Sequence, residues 1–196
     1  MAQGLLLIFS ILGNLPLPLT TVQILWLNLV SSITLSYALG FEPAHKDIMR
    51  RKPRLMSEKI ISRYTLFRIL YVGFLITLLG FFTMSLFSGE ALRQTILINA
   101  MVFGQAFYMV NCREITDSVL SHRLLENHAL IWSLVAMIVL QLAMVYFPPL
   151  QMVVQTTPLS LNQFLMSIFP SVILFLVVEL EKKFTSIFYS KALSVR

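Results

Sequence analysis

YTLFRILYVGFLITLLGFFTMSLFS, residues 64–88, is apolar on nearly every side of any regular structure it could form. A helix rises about 1.5 Å per residue, so roughly 20 such residues cross a hydrocarbon core. A strand of a membrane barrel would instead alternate apolar and polar side chains, which this run does not do. The rest of the chain agrees. Apolar residues make up 57% of its 196 positions and charged ones only 12%, a balance suited to lipid rather than water.

Working outward from that run, hydropathy predicts further spans near 20–41, 94–112, 129–147 and 162–181, and a short one near 4–13. The short opening run has no Lys or Arg ahead of it and no small-residue cleavage pattern behind it, so it reads as mature structure rather than a secretion signal. Gly13, Asn14, Pro16 and Pro18 then predict a turn, with re-entry at Thr20 or Thr21. The expected fold is all-α, a polytopic helical membrane bundle of about five full transmembrane helices plus a truncated first one. It is read as one membrane domain over residues 1–196, because no loop is large enough to fold alone.

Cations retain loops on the cytoplasmic side during insertion. The 42–63 segment carries Lys46, Arg50, Arg51, Lys52, Arg54, Lys59 and Arg63, and the tail carries Lys182, Lys183, Lys191 and Arg196. The connections at 13–19 and 148–161 carry neither Lys nor Arg, and the one around Gly89 has only Arg93. Every second connection is thus basic, which puts the 42–63 and 113–128 loops and the C-terminus in the cytoplasm. The formal charge of +6 is explained by this topology, and nucleic acid is not an expected partner. The Lys46 to Arg54 cluster also suits anionic headgroups of the lipid bilayer.

All nine carboxylates fall in loops or at span ends. An intramembrane carboxylate would be the strongest pointer to an ion path. What the spans do hold is neutral polarity. Asn28, Ser31 and Ser32 follow i, i+3, i+4 spacing and share one helix face. Gln105 and Tyr108 share a face of the 94–112 span, with Asn99 and Asn111 on the same helix and Gln3 opening the first. Such groups either line a site or hold helices together by hydrogen bonds, and spacing alone favours packing. His45, His122 and His128 have no metal-binding spacing, and the single cysteine, Cys112, allows neither an intrachain disulfide nor a cysteine cluster. There is no phosphate-binding glycine loop and no nucleophile arrangement, so no catalytic residues are expected and no cofactor in this chain.

The segment 15–54, LPLPLTTVQILWLNLVSSITLSYALGFEPAHKDIMRRKPR, resembles the fifth-to-seventh helix region of type II, calcium-pump-like P-type cation-transporting ATPases. Val22 to Val30, Ala38 to Pro43, Asp47 to Arg50 and Pro53-Arg54 recur there in that order, and Phe107 to Arg113 resembles the end of the eighth helix. The likeness covers nearly the whole chain and weakens after about residue 125. In that family an Asn-Leu-Val-Thr-Asp sequence supplies cation ligands, and here it reads Asn28-Leu29-Val30-Ser31-Ser32. Gln3 and Gln105 fall where calcium pumps carry glutamates of the fifth and eighth helices.

The resemblance therefore implies an ion pathway lined by Asn28, Ser31 and Ser32, with Gln3 and Gln105 beside them. The three acids of the family pattern are neutral here, which argues against a tightly held divalent ion and leaves the transported cation open. It also implies that the phosphorylated aspartate, the nucleotide and actuator domains and the first four helices precede residue 1. Mg-ATP would bind only to those domains. The partner would be the catalytic part of a P-type ATPase, contacted through the Glu42 to Arg63 loop, and the location the plasma (inner) membrane. The competing reading is a stand-alone structural or accessory membrane protein, in which the polar stripe only packs helices. An unrelated small carrier would predict internal repeats or broken helices, and neither is evident.

Overall fold

A computed structural model of the chain describes residues 1–14, 16–31, 36, 40, 41, 63–112 and 128–193. Among the described residues there are seven helices: α1 (Ala2–Leu12), α2 (Thr21–Val30), α3 (Arg63–Ser85), α4 (Glu90–Cys112), α5 (His128–Tyr146), α6 (Pro148–Val154) and α7 (Leu161–Leu193). The basic cluster Lys46 to Arg54, His45, His122 and most of the second half of the 20–41 span lie outside the described residues.

The expected turn after the first helix is present. Asn14 takes φ 51, the left-handed region that an Asn side chain tolerates better than most. Entry into α2 is set by a capping box. The Gln23 amide donates to Thr20 Oγ1 at 3.4 Å, and the Thr20 amide donates to Gln23 Oε1 at 2.9 Å, so two amides left over by the helix start find partners. At the other hairpin, Gly89 takes φ 95, where a side chain would be strained, and joins α3 to α4 within a few residues.

Among the described residues three helices are long and apolar enough to cross a membrane: Thr65–Ser85, His128–Tyr146 and Leu161–Lys183. Two shorter apolar helices, Ala2–Leu12 and Thr21–Val30, accompany them. These are integral membrane helices. α4 is as long as α3, at 23 residues, yet less apolar. Its position explains this. α4 packs most extensively on α7, then on α3, and also touches α2 and α5. Every residue from Gln94 to Gly104 is buried, so α4 faces protein on all sides and can carry amides and hydroxyls that lipid would not accept. By contrast α5 exposes Trp132, Val135, Ile138 and Val139, an apolar face of the kind lipid covers.

α3 meets the Leu97 side chain of α4 closely at Gly80. A Cβ there would stand 2.9 Å from Leu97 Cδ1. α1 lies on α3, and α2 lies on α4 and α6.

The structure adds two features to the sequence reading. The 148–161 connection, expected as plain loop, contains the seven-residue helix α6, about two turns long. Pro148 and Pro149 start it without strain, because the first helical turn needs no amide donors and Pro already has the right φ. Its surroundings also satisfy the last carbonyls of α5: Thr156 Oγ1 donates to Met144 O at 2.9 Å and Gln151 Nε2 to Val145 O at 2.5 Å. The other addition is length. The final span, expected to stop near 181, continues as helix to Leu193.

Candidate functional site

α2 ends at Val30, and the backbone is π-helical at Ser31 and again at Ser36. A widened turn of this sort displaces side chains from the regular helical stripe, and such turns concentrate at functional positions. From this point the Ser31 hydroxyl reaches across to α4 and donates a hydrogen bond to Gln105 Oε1.

Beside that bond lies a cavity of about 340 Å³. Asn28 lines it from α2 and Ser31 from just past the end of that helix, Gln3 from α1, Gln105 and Tyr108 from α4, and Val72 and Ile76 from α3. Four of the five residues singled out from the sequence thus share one recess, though Gln105 is far in the chain from Gln3, Asn28 and Ser31. The fifth, Ser32, lies outside the described residues. Asn28 is exposed at the rim, while Gln3, Ser31 and Gln105 are half-buried.

The other amides of α4 have structural work instead. Gln141 Nε2 donates to Asn99 Oδ1 at 2.7 Å, and Asn99 Nδ2 donates to Ser167 Oγ at 2.7 Å, so one fully buried bridge ties α5, α4 and α7. Asn111 Nδ2 donates to Phe175 O on α7 at 3.4 Å. Gln141 and Ser167 had no sequence signal, since lone polar residues in apolar spans do not reveal partners on distant helices. Gln23 serves a second junction: its Nε2 donates to Gln94 Oε1 at 3.1 Å and to Val154 O at 3.2 Å, joining α2, α4 and α6.

Charge gathers at one end of the bundle, next to the cavity but not in it. Arg68 Nε lies 3.7 Å from Glu181 Oε2, and Lys182 Nζ lies 3.9 Å from Glu179 Oε1. The buried Lys182 ammonium also donates to Asn111 O at 2.5 Å, in the last turn of α4, where a cation meets the negative end of the helix dipole. Asn111 is six residues from Gln105, about 9 Å along the helix axis.

Among the described residues the cavity is lined by amide, hydroxyl and phenol groups and by no carboxylate. Among the described residues no group of three or more His, Cys, Asp or Glu side chains could hold a metal ion. The chemistry follows from this. A carboxylate about 4 Å from an ion, at an effective permittivity near 20, contributes about 4 kcal/mol per unit of ionic charge. Its absence weakens a divalent ion twice as much as a monovalent one.

The fold and the recess define a polytopic helical membrane protein with a neutral polar cavity between its helices. Comparison with known proteins gives the family: the profile described as "Cation transporting ATPase, C-terminus" matches residues 16–184, and the chain belongs to that family. It is similar to the Calcium-transporting ATPase of Bacillus subtilis (strain 168), 36% identical over 161 residues, covering 80% of this chain and 18% of that protein. It is similar as well to the human Calcium-transporting ATPase type 2C member 2, 34% identical over 79% of this chain and 17% of the relative. The human type 2C member 1 is 33% identical over 91% of this chain and 20% of the relative. The chain therefore spans about a fifth of the length of the curated relatives it matches.

Proposed function

We propose that the chain forms the membrane transport region of a P-type cation-transporting ATPase, and that the cavity between α1, α2, α3 and α4 is part of the ion pathway. The observation that carries this reading is the convergence of Gln3, Asn28, Ser31 and Gln105 on one recess. Ser32, which follows Ser31 in the sequence, joins them in the proposal. The exposed rim at Asn28 supports it too, because an amide facing lipid is unfavourable and a further wall would relieve it. A segment corresponding to the family's fourth helix would supply that wall. ATP hydrolysis, with Mg-ATP, would reside in a catalytic part coupled to this one.

The finer architecture belongs to the same proposal: five full spans and a short first one, forming a single membrane domain over 1–196 in the plasma (inner) membrane, with the C-terminus cytoplasmic. The alternation of basic and non-basic connections supports this orientation. A purely structural role is the rival, favoured by the direct Ser31–Gln105 bond, which packing alone would also produce.

Water access separates the two readings. In a Cys112→Ser background, Asn28→Cys, Ser31→Cys and Gln105→Cys are each treated with a positively charged, water-soluble thiol reagent in lipid nanodiscs. An ion pathway predicts modification at all three, with Ile138→Cys on the apolar face of α5 unreactive. If the three resist modification as Ile138→Cys does, the cavity is dry packing and the structural reading wins.

A further inference from the structure

We infer that a second cavity, at the end of the bundle opposite Lys182, binds the headgroup of a zwitterionic phospholipid of the phosphoethanolamine class. This cavity, of about 220 Å³, lies where the α1–α2 turn meets the α3–α4 hairpin, and Leu17, Pro18, Met84, Glu90, Arg93 and Gln94 line it. Glu90 and Arg93 stand exposed at its rim, whereas Pro18, Met84 and Gln94 are buried. The stretches 13–20, 86–93 and 147–160 are gathered at this one end by the Gln23 bonds to Gln94 and Val154 and by the Thr157 amide, which donates to Thr95 Oγ1 at 3.0 Å. Glu90 and Arg93 are the only charged residues in those three stretches, and both border the same cavity. No ion need pass between α1, α2, α3 and α4 for such a site to work.

The fold explains one of these charges and not the other. Glu90 sits in the first turn of α4, where the helix dipole favours an acid, and it accepts a long hydrogen bond of 3.5 Å from Gln94 Nε2, while Gln23 holds Gln94 in turn. Arg93 has the opposite setting. A cation there faces the positive end of the helix, and among the described residues its guanidinium has neither a hydrogen bond nor an ion pair, with Glu90 or any other group. A phosphate would supply what the packing does not, because guanidinium and phosphate form paired charge-assisted hydrogen bonds. A simple anion would be repelled by Glu90 and a simple cation by Arg93. A zwitterion satisfies both. Residues three apart on a helix have Cβ atoms about 5–6 Å apart, and the two-carbon bridge of phosphoethanolamine sets its phosphate and ammonium at a similar separation. Liquid water takes about 30 Å³ per molecule, so the cavity has room for the roughly eight non-hydrogen atoms of that headgroup. Leu17, exposed at the same cavity, offers the adjoining acyl chains an apolar surface.

The test is native mass spectrometry of the full chain in detergent, titrated with an equimolar mixture of phosphatidylethanolamine, phosphatidylcholine and phosphatidylglycerol carrying the same acyl chains. Wild type is expected to retain one phosphatidylethanolamine saturably and at least about tenfold over the other two, since choline has no N–H to donate to Glu90 and phosphatidylglycerol brings no cation to it. Arg93→Gln should lose this adduct. Glu90→Gln should bring phosphatidylethanolamine down to the level of phosphatidylcholine. Both side chains are exposed, and unchanged helicity by circular dichroism checks that the variants fold. Wild-type retention of phosphatidylethanolamine in both variants would put the lipid elsewhere on the chain and overturn the inference. A preference for phosphatidylglycerol overturns it too, since the cavity would then take an anion with Glu90 idle. Equal retention of all three lipids, or of none, leaves the two charges as solvated residues of the membrane surface and overturns it likewise.

Discussion

Lys182 shows how much a single side chain can carry in a chain of this composition. It is 3% exposed, yet it carries an ionisable amine, and that amine is held by Glu179 and by Asn111 O in the last turn of α4. Removing one partner from a buried, hydrogen-bonded charge cluster costs about 3 kcal/mol. Lys182→Met is therefore expected to lower the thermal midpoint of the chain in detergent, with Lys182→Arg recovering part of the loss by restoring the charge at the helix end. An unchanged midpoint in Lys182→Met would mean that the cluster contributes nothing. At this scale the sequence was informative where spacing was local. Asn28 and Ser31 lie one turn apart on a face that could be read directly, and so do Gln105 and Tyr108. The pairing of Ser31 with Gln105 joins residues far apart in the chain, and only the family resemblance had put Gln3, Ser31 and Gln105 in one place. Gln141 and Ser167 stayed silent because a buried amide or hydroxyl in an apolar span looks the same whether its partner is three residues or seventy away.

Among the helices, α4 is the one that hydropathy describes least well and packing explains best. Its polarity marks the middle of the bundle, because only a helix surrounded by protein can supply Gln94, Asn99 and Gln105 with partners or a cavity. Element existence was legible for α1, α3, α4, α5 and α7 and for the first half of the 20–41 span, since long apolar runs leave a helix as the sole way to satisfy the backbone in lipid. α6 was not, because two consecutive prolines read as a break in a loop but as a start in a short helix. Helix packing also gives a sharp expectation at Gly80. Gly80→Val must shift the buried Leu97 side chain, and is expected to destabilise the chain by about 1–3 kcal/mol, as overpacking does in a tight core. Gly4, whose Cβ would meet nothing within 4 Å, is the control: Gly4→Ala should leave the midpoint of thermal unfolding unchanged or raised.

For the whole molecule, α3, α4 and α7 form a tightly joined group, stitched by the Asn99–Ser167 bond, the Asn111 and Lys182 contacts and the Arg68–Glu181 pair. α1 and α2 complete the cavity from the side, α1 through α3 and α2 through α4 and α6. An ion in the recess would thus sit between elements held to different degrees, with Ser31 and Gln105 bridging the boundary. The most direct measurement is ATP-driven cation uptake into sealed vesicles by a complete pump carrying this chain, with Asn28→Leu as the comparison. If the cavity is the pathway, Asn28→Leu reduces uptake at least about tenfold, the loss that follows from removing one ligand worth about 1.4 kcal/mol or more, while the protein still inserts and folds. Uptake equal to wild type in a folded Asn28→Leu pump would contradict the account, leaving the polar face of α2 as packing alone.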